Sequence, residues 1–145
     1  MQQHFRIAGT GGYLPQAIIT AEELDVRLGL PSGWTWRHTG VATRHRHAPN
    51  ETATDMGCRA ACDAVAAAGL KLSDIDVIID ASTCELQPIP GKAALLQAAL
   101  GPGASCWAAF DGHASWLSFV VALATGNAFL SGGRYGHSLI VSAET

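Results

Sequence analysis

Charged side chains are scarce in this sequence, and neither sign dominates. Of its 145 residues 14% are charged, with nine Lys and Arg against 12 Asp and Glu, which gives a formal net charge of −3. The basic residues are scattered along the chain, apart from Arg44 and Arg46. Because nucleic-acid-binding domains concentrate basic residues on one surface, we expect no nucleic-acid partner.

A long uninterrupted apolar run is also missing. The longest apolar stretch, 114–130, is broken by Ser118, Thr125 and Gly126, which is typical of a core helix and not of a membrane span. The N-terminus lacks the basic flank, apolar stretch and small-residue site of a secretory signal. We therefore expect a cytoplasmic protein with no membrane partner.

No Cys-x-x-Cys pair occurs among the four cysteines, which are Cys58, Cys62, Cys84 and Cys106. They lie in apolar or alanine-rich stretches, where cysteine in a reducing compartment is a small buried hydrophobe and not part of a disulfide framework. His45 and His47 together with Cys58 and Cys62 have the side chains of a metal site. The alanines around both cysteines indicate a tightly packed helix, so we predict core cysteines, surface histidines and no metal.

What the sequence does contain is enough apolar material for one globular domain. Hydrophobic residues make up 48% of the chain, which at this length supports a substantial core. Strand-like and helix-like stretches alternate, as in parallel strands that are joined by helical crossovers. The predicted strands are 5–15, 75–81, 105–110 and 137–143, and the predicted helices are 21–29, 52–69, 90–100 and 114–132, with a long irregular loop over 31–51.

These elements define an α/β layered domain with a single, mostly parallel sheet and a buried central helix. A capping box over Thr20–Glu23 predicts the start of the first helix, and Pro90 suits the first turn of the third. We expect residues 1–145 to form one domain, with no second domain. The sequence stops directly after its last strand, which predicts an uncovered sheet face or edge that needs a partner.

Two stretches have features of ligand-binding motifs. Gly9–Gly12 begins like a dinucleotide fingerprint, but the third glycine is missing and Pro15 follows, so we interpret it as a turn. Within the predicted loop, residues 37–47 carry local positive charge. They form either a solvated loop or an edge that binds phosphate groups, with stacking from Trp34 or Trp36.

The stretch AFDGHASWLSF, residues 109–119, is a short strand that turns sharply into an apolar helix. In α/β proteins such a turn commonly holds a nucleophile. Here Trp116 occupies the start of the helix, and an indole has no nucleophilic group.

Six stretches lie in the order and spacing of a known family. They are GTGGYLP at 9–15, GWTWRHTGVATRHRHAPNET at 33–52, and then AVAAAGL, DIDVIIDAST, LQAALG and CWAAFD. Together they resemble the ketoacyl-acyl-carrier-protein synthase III family of the thiolase superfamily. The resemblance implies a five-layered αβαβα sandwich built from two similar halves, of which this chain corresponds to most of the N-terminal half.

The resemblance also implies an acyl-accepting cysteine in the first turn of the helix that follows AFD, where the helix N-terminus favours a thiolate. That position falls on Trp116. Ser115 lies one residue earlier and could serve only if the helix start were re-registered. Cys106 falls on a strand position, and we interpret His113 as polarity at the helix start or at an interface. The family's catalytic histidine and asparagine come from its C-terminal half.

The family's tryptophan and arginine that contact the coenzyme A nucleotide map to Trp34 and His38, with Arg37 one place off. The resemblance therefore implies acyl-coenzyme A or acyl carrier protein as a substrate, with no tightly bound cofactor.

We expect a synthase III-like subunit or half of an acyltransferase complex in fatty-acid or polyketide-type metabolism, without an acyl-accepting cysteine of its own. Trp116 would fill the space of an acyl tunnel and contribute to packing or to a dimer contact. A homologous thiolase-like chain or a separate C-terminal half would be the partner. The alternatives are a fragment of a longer active condensing enzyme and a non-catalytic module that docks a carrier protein through Arg37, Arg44 and Arg46.

Overall fold

The computed structural model describes residues 5–84, 87–104 and 108–145. Contacts within the chain define two compact units. The larger comprises Met1–Tyr13 with Ala53–Glu144, and the smaller comprises Leu14–Thr52 with Thr145.

Two short strands and two helices form the smaller unit. Strand β1 (Ala17–Thr20) pairs antiparallel with β2 (Thr43–Arg46). Between the strands lie α1 (Ala21–Leu28) and α2 (Trp34–Thr39). The predicted capping box is confirmed, because Glu23 N–H donates to Thr20 Oγ1 at 3.1 Å while Glu23 Oε2 accepts from Thr20 N–H at 2.9 Å.

The prediction of an irregular loop over 31–51 is wrong, since this segment contains α2 and β2. Helix α2 has only six residues, too few to show a helical hydrophobic period. It is bounded by Gly33 and Gly40, both with left-handed backbone at φ 75° and 64°, which supply the turns that a residue with a Cβ adopts at a cost.

Six longer elements build the larger unit. They are α3 (Ala53–Ala67), β3 (Val77–Asp80), α4 (Lys92–Leu100), β4 (Ala108–Asp111), α5 (Ser118–Ser131) and β5 (Ser138–Val141). The three strands form a parallel sheet in the order β4-β3-β5, in which Val77 lies opposite both Ala108 and Ser138. The predicted α/β class with parallel strands and helical crossovers is confirmed.

The core of this unit lies on both faces of the sheet. Because successive strand residues point to opposite faces, Ile78 packs with the cluster that includes Leu96 of α4, whereas Val77 and Ile79 pack with the cluster that includes Ala122 of α5. All four residues of β3 are buried. The unbroken β-branched run of the sequence therefore marked the central strand correctly.

The predicted strand over 5–15 does not form, and the described residues contain two sheets where one was predicted. Residues 5–15 contain no strand, and Gly9 and Gly11 lie directly on α3. A Cβ on Gly9 would stand 2.4 Å from the Ala64 carbonyl oxygen, and one on Gly11 would stand 2.3 Å from that of Ala60. Gly9 and Gly11 thus serve close packing on a helix.

Two predicted helices begin later than expected. Helix α4 starts at Lys92 after the N-cap residue Gly91, so Pro90 lies before the helix and not in its first turn. Helix α5 starts at Ser118 after a 3₁₀ turn over Ser115–Leu117. In the described part of the chain, no helix has the length and apolar character needed to cross a membrane.

Candidate active site

The turn between β4 and α5 holds the position that sequence analysis singled out. Strand β4 ends at Asp111, and the chain reaches the 3₁₀ turn over Ser115–Leu117 through Gly112, His113 and Ala114. Ser115 has φ 51° and is the one described residue other than glycine in the left-handed region. Such backbone is sparsely populated and occurs preferentially at functional sites.

Ser118 holds this turn in place. Its hydroxyl is 2% exposed, donates to the Ser115 carbonyl oxygen at 2.7 Å and accepts from the Ala114 N–H at 3.0 Å. The Leu117 N–H donates to the Ala114 carbonyl oxygen at 3.0 Å. The left-handed residue is therefore fixed by a buried side chain at the start of α5.

Trp116 projects away from the protein. Its side chain is 93% exposed, so within this chain it does not fill the space of an acyl tunnel as the sequence analysis expected. Ser115 and His113 are exposed as well. The turn thus presents an indole and a hydroxyl to the surface, and neither a thiol nor a thiolate lies between Ala108 and Thr145.

Helix α5 is buried on one face only. Ser118, Ala122 and Gly126 recur every four residues on its buried side, and Gly126 is so close to β5 that an added Cβ would lie 3.2 Å from Ser138 Oγ. The opposite side is apolar and exposed, including Phe119 and Val120. The expectation of a buried helix therefore holds for one face, because this chain supplies a sheet on that side alone.

Cys106 lies outside the described residues, and the other three cysteines are not part of this turn. Cys58 is half-buried, whereas Cys62 and Cys84 are exposed, so the expectation of buried cysteines is wrong for these two. The buried side of α3 runs through Met56, Ala61 and Val65 instead. Burial raises the pKa of the Cys58 thiol, with Cys62 and Asp55 adding to the effect. Over the described ranges, no group of three or more His, Cys, Asp or Glu side chains could hold a metal ion.

A second candidate site lies on α2 of the smaller unit. The rings of Trp34 and His38, one helical turn apart, stack with centroids 4.0 Å apart and planes 18° from parallel. His38 Nδ1 also lies 2.8 Å from the Trp34 carbonyl oxygen. Arg37 does not join the stack, because its Nη2 donates to the Ser32 carbonyl oxygen at 3.2 Å. Trp34 and His38 thus form an aromatic stack, and the Arg37 guanidinium bonds to the segment before the helix.

Asp25 fixes the start of α2. Its buried carboxylate accepts the Thr35 N–H at 2.8 Å. Hydrogen bonding from the Thr35 side chain, and further bonds from backbone N–H groups of Gly33, Trp34 and Thr35, lower the pKa of Asp25 although burial opposes them. A charged carboxylate thus sits at the N-terminus of the helix that carries the stack, where it is favoured.

Sequence reasoning missed a group of polar residues at the carboxyl ends of the parallel strands. Asp111 accepts the N–H groups of Lys92 and Ala93, each at 2.7 Å, and so caps α4 from the neighbouring strand. Asp80 and Ser82 are fully buried beside Lys92. A signal was present, because an aspartate ends each of two apolar strands and a lysine begins an otherwise apolar helix.

Comparison with known proteins supports the family resemblance of the sequence. Beta-ketoacyl-[acyl-carrier-protein] synthase III of Hyphomonas neptunium is 38% identical over 139 residues, which are 96% of this chain and 42% of that protein. The protein of the same name from Methylococcus capsulatus is 38% identical over 144 residues, 99% of this chain and 44% of its own length. No family model matches the chain.

Solved structures agree with the curated relatives. The 3-oxoacyl-[acyl-carrier-protein] synthase III from Aquifex aeolicus superposes with a TM-score of 0.86 at 32% identity, over 95% of this chain and 44% of that one. The priming β-ketosynthase of the R1128 polyketide pathway gives a TM-score of 0.87 at 25% identity, over 94% and 40%. The chain spans less than half the length of the relatives it matches.

The parallel sheet, its crossover helices and the strained turn after β4 define a thiolase-like α/β unit. The particular proteins that this chain resembles are ketoacyl-acyl-carrier-protein synthases III, and the predicted resemblance to the N-terminal half of that family is confirmed.

Proposed function

We propose that this chain is a synthase III-like subunit of an acyltransferase complex in fatty-acid or polyketide-type metabolism that does not itself accept the acyl chain. One observation carries the proposal: Trp116 stands where the family resemblance places the acyl-accepting cysteine, and its indole is 93% exposed. Because the indole of Trp116 cannot form a thioester, the acyl-accepting step would belong to another chain.

Two other candidate nucleophiles, Cys58 and Ser115, lack features that an acyl acceptor needs. Cys58 Sγ is half-buried, lies 3.8 Å from the Leu96 carbonyl oxygen and has a raised pKa, all of which lower the thiolate fraction. Ser115 carries an exposed hydroxyl on a left-handed residue, and a serine needs an adjacent base to become a nucleophile. The proposal assigns Ser115 no such role.

The partner in this proposal is a homologous thiolase-like chain or a separate C-terminal half. It would cover the exposed apolar side of α5 and the indole of Trp116, which together form an unusually apolar surface. The exposed large side chains of this surface are Trp116, Leu117, Phe119, Val120 and Val121. A large aromatic residue at the centre of such a surface is a common anchor of protein interfaces.

The proposed substrate is an acyl-coenzyme A or an acyl carrier protein, held without a tightly bound cofactor. The Trp34–His38 stack suits a planar nucleobase, and Arg37 suits a phosphate group. Since Arg37 already bonds to the Ser32 carbonyl, ligand binding would require that side chain to turn.

Acyl loading tests the proposal. Intact-mass measurement after incubation with acyl-coenzyme A is expected to show no adduct on the wild-type chain. Active synthase III from Pseudomonas aeruginosa serves as the positive control. A stable adduct on the wild-type chain that disappears in Ser115→Ala would reject the proposal and identify Ser115 as the nucleophile.

Co-purification from the native source tests the partner. We expect a second thiolase-like chain with the wild-type protein and its loss with Trp116→Ala, while Arg134→Ala, an exposed change in the same unit, retains it. Purification of the wild-type chain without such a partner contradicts the subunit proposal.

A second candidate function follows from length. The chain spans only 42–44% of its curated relatives, which favours a segment of a longer condensing enzyme whose activity belongs to the whole protein. The surrounding coding sequence discriminates the two: a continuous frame with the family's histidine and asparagine supports the longer enzyme, and a stop codon after Thr145 rejects it.

A carrier-docking module is the third candidate, favoured by the exposure of Arg37 and Arg46 on the smaller unit. Reversal of these charges to glutamate is expected to abolish binding of an acidic carrier protein if this candidate is right. Unchanged binding rejects it.

A further inference from the structure

A buried polar cluster joins the carboxyl ends of β3 and β5 in the larger unit. Asp80 ends β3, Ser82 follows two residues later, and Lys92 begins α4. Asp80 and Ser82 are fully buried, and Lys92 is 3% exposed. Burial of ionised groups is costly unless they are paired and hydrogen-bonded, so the contacts of this cluster require an explanation.

The cluster binds both backbone polar groups of one residue, Ala143. Lys92 Nζ donates to Ser82 Oγ at 2.8 Å and to the carbonyl oxygen of Ala143. Ser82 Oγ donates to Asp80 Oδ1 at 2.7 Å and accepts from the Ala143 N–H at 3.1 Å. The N–H and the C=O of Ala143 are therefore both fixed by side chains that belong to other elements.

These contacts begin where the backbone pairing of β3 and β5 stops. The last bond between the two strands runs from the Ala81 N–H to the Val141 carbonyl oxygen at 2.7 Å. Ala143 lies two residues beyond the end of β5. On the other side of β3, the Gly112 N–H donates to the Asp80 carbonyl oxygen at 2.8 Å. The carboxyl ends of all three parallel strands thus lie around the cluster.

Carboxylates of neighbouring segments bond to backbone N–H groups next to this cluster. Asp111 of β4 accepts the Lys92 and Ala93 N–H groups, and the Glu144 carboxylate accepts the Cys84 N–H at 3.3 Å. Burial raises the pKa of Asp80, the Ser82 hydroxyl and the Lys92 ammonium oppose that shift, and Asp111 adds to it. The Lys92 ammonium thus lies close enough to the Asp80 carboxylate to favour its charged form.

We propose that Lys92 is a positioning residue whose ammonium group fixes the path of the backbone after β5. An unbranched apolar side chain of similar length would fill the same volume without a buried charge, so packing alone does not account for a lysine here. Single buried polar groups can specify one arrangement at a cost in stability. The path matters because ligand sites of parallel α/β sheets form at the carboxyl ends of the strands. The proposal does not depend on the acyl chemistry discussed above.

Backbone hydrogen exchange of the full chain, followed residue by residue by NMR, tests this role. In Lys92→Met the Ala143 amide is expected to exchange about tenfold faster than in the wild type, while the Ile78 amide of central β3 keeps its rate. Lys71→Met alters the only other lysine of the sequence, which is exposed, and is expected to change neither rate. Unchanged exchange at Ala143, or equal acceleration at Ile78, overturns the proposal, since a purely structural role moves both amides together.

A second measurement needs no variant. The ammonium protons of the wild-type chain are observed directly by nitrogen-correlated NMR at low temperature. Lys92 is expected to give a slowly exchanging ammonium signal with a contact to Ala143, and Lys71 is not. If the Lys92 ammonium exchanges as fast as that of Lys71, the proposal is overturned whether or not the Lys92 variants fold.

Discussion

Two strands of the parallel sheet end in opposite ways. After β3, polar side chains turn inward, are buried and bond to one another, as Ser82 and Lys92 do. After β4, the chain enters a left-handed turn at Ser115 and presents Trp116 almost fully to solvent. The first arrangement is complete within the chain. The second holds Ser115 in a sparsely populated backbone conformation and exposes a large aromatic side chain, and such departures from local rules are typical of functional regions in natural proteins.

The same contrast divides the helices that follow these strands. Helix α4 buries Ala93 and Leu96 in the core, whereas α5 buries only small residues and exposes larger ones such as Val120. Small residues let α5 lie close to the sheet, and the larger ones on its outer side remain for a second surface. The difference indicates that α4 stabilises this chain through its core, whereas the outer side of α5 is the surface that the proposed partner would cover.

Leu96→Ala is expected to have the largest effect on stability. The fully buried side chain packs with Ile78 and Val65, so its truncation should lower the free energy of unfolding by about 3 kcal/mol through lost burial and a new cavity. Val120→Ala, at an exposed position of α5, should stay within about 0.5 kcal/mol of the wild type. Urea unfolding followed by circular dichroism measures the free energy of unfolding of both variants. Similar losses in the two would contradict the difference between α4 and α5.

Asp111→Ala should come next. The carboxylate accepts two N–H groups at the start of α4, and loss of these bonds is expected to cost about 2 kcal/mol. Asp63→Ala, an exposed change on α3, is the matched control and should cost less than about 0.5 kcal/mol. Thermal and urea unfolding of both variants give the comparison, and equal stabilities would remove Asp111 from the cap of α4.

Ser118→Ala should have a smaller effect, on the turn and not on the sheet. The hydroxyl bonds to the Ser115 carbonyl and the Ala114 N–H, so its loss is expected to lower stability by about 1 kcal/mol and to speed hydrogen exchange at Ala114. Ser131→Ala, exposed at the other end of α5, should leave both unchanged. Normal exchange at Ala114 in Ser118→Ala would show that the left-handed turn holds without this bond.

Sequence patterns predicted those parts of the fold that depend on local chemistry. The capping box at Thr20, the β-branched run that became β3 and the helical spacing over α3 are all confirmed, because each is decided by neighbouring residues. The absence of a strand at 5–15 was not predictable in this way. Its apolar alternation is that of a strand, but its glycines pack on α3, and that contact is set by tertiary structure.

For the candidate site, the sequence located the turn but not its surroundings. The sequence placed Trp116 at the start of a helix that follows a strand, whereas in the structure it lies in a 3₁₀ turn between β4 and α5. That the indole is exposed, and that Ser118 holds the turn, depend on side-chain directions that spacing does not give. The bonds of Lys92 to Ser82 and Ala143 join residues 10 and 51 positions apart, so no local pattern could reveal them.

A change in pH should produce the smallest effect and tests the buried cluster. Burial raises the pKa of Asp80 above its ordinary value of 3.8, so the native state holds this proton more tightly than the unfolded chain does. The stability that this proton contributes is fully present below the unfolded pKa and is lost as pH rises through the raised native pKa. Asp80→Asn has no proton to lose and retains an oxygen that can accept from Ser82.

The free energy of unfolding of the wild type, relative to Asp80→Asn, should therefore fall as pH rises through that window and become constant above it. Urea unfolding at a series of pH values measures the difference, with Asp63→Asn as the exposed control. A difference that rises with pH would contradict the prediction, because it would mean that pairing with Lys92 outweighs burial at Asp80. The sign of this slope thus decides whether burial or pairing with Lys92 dominates the pKa of Asp80.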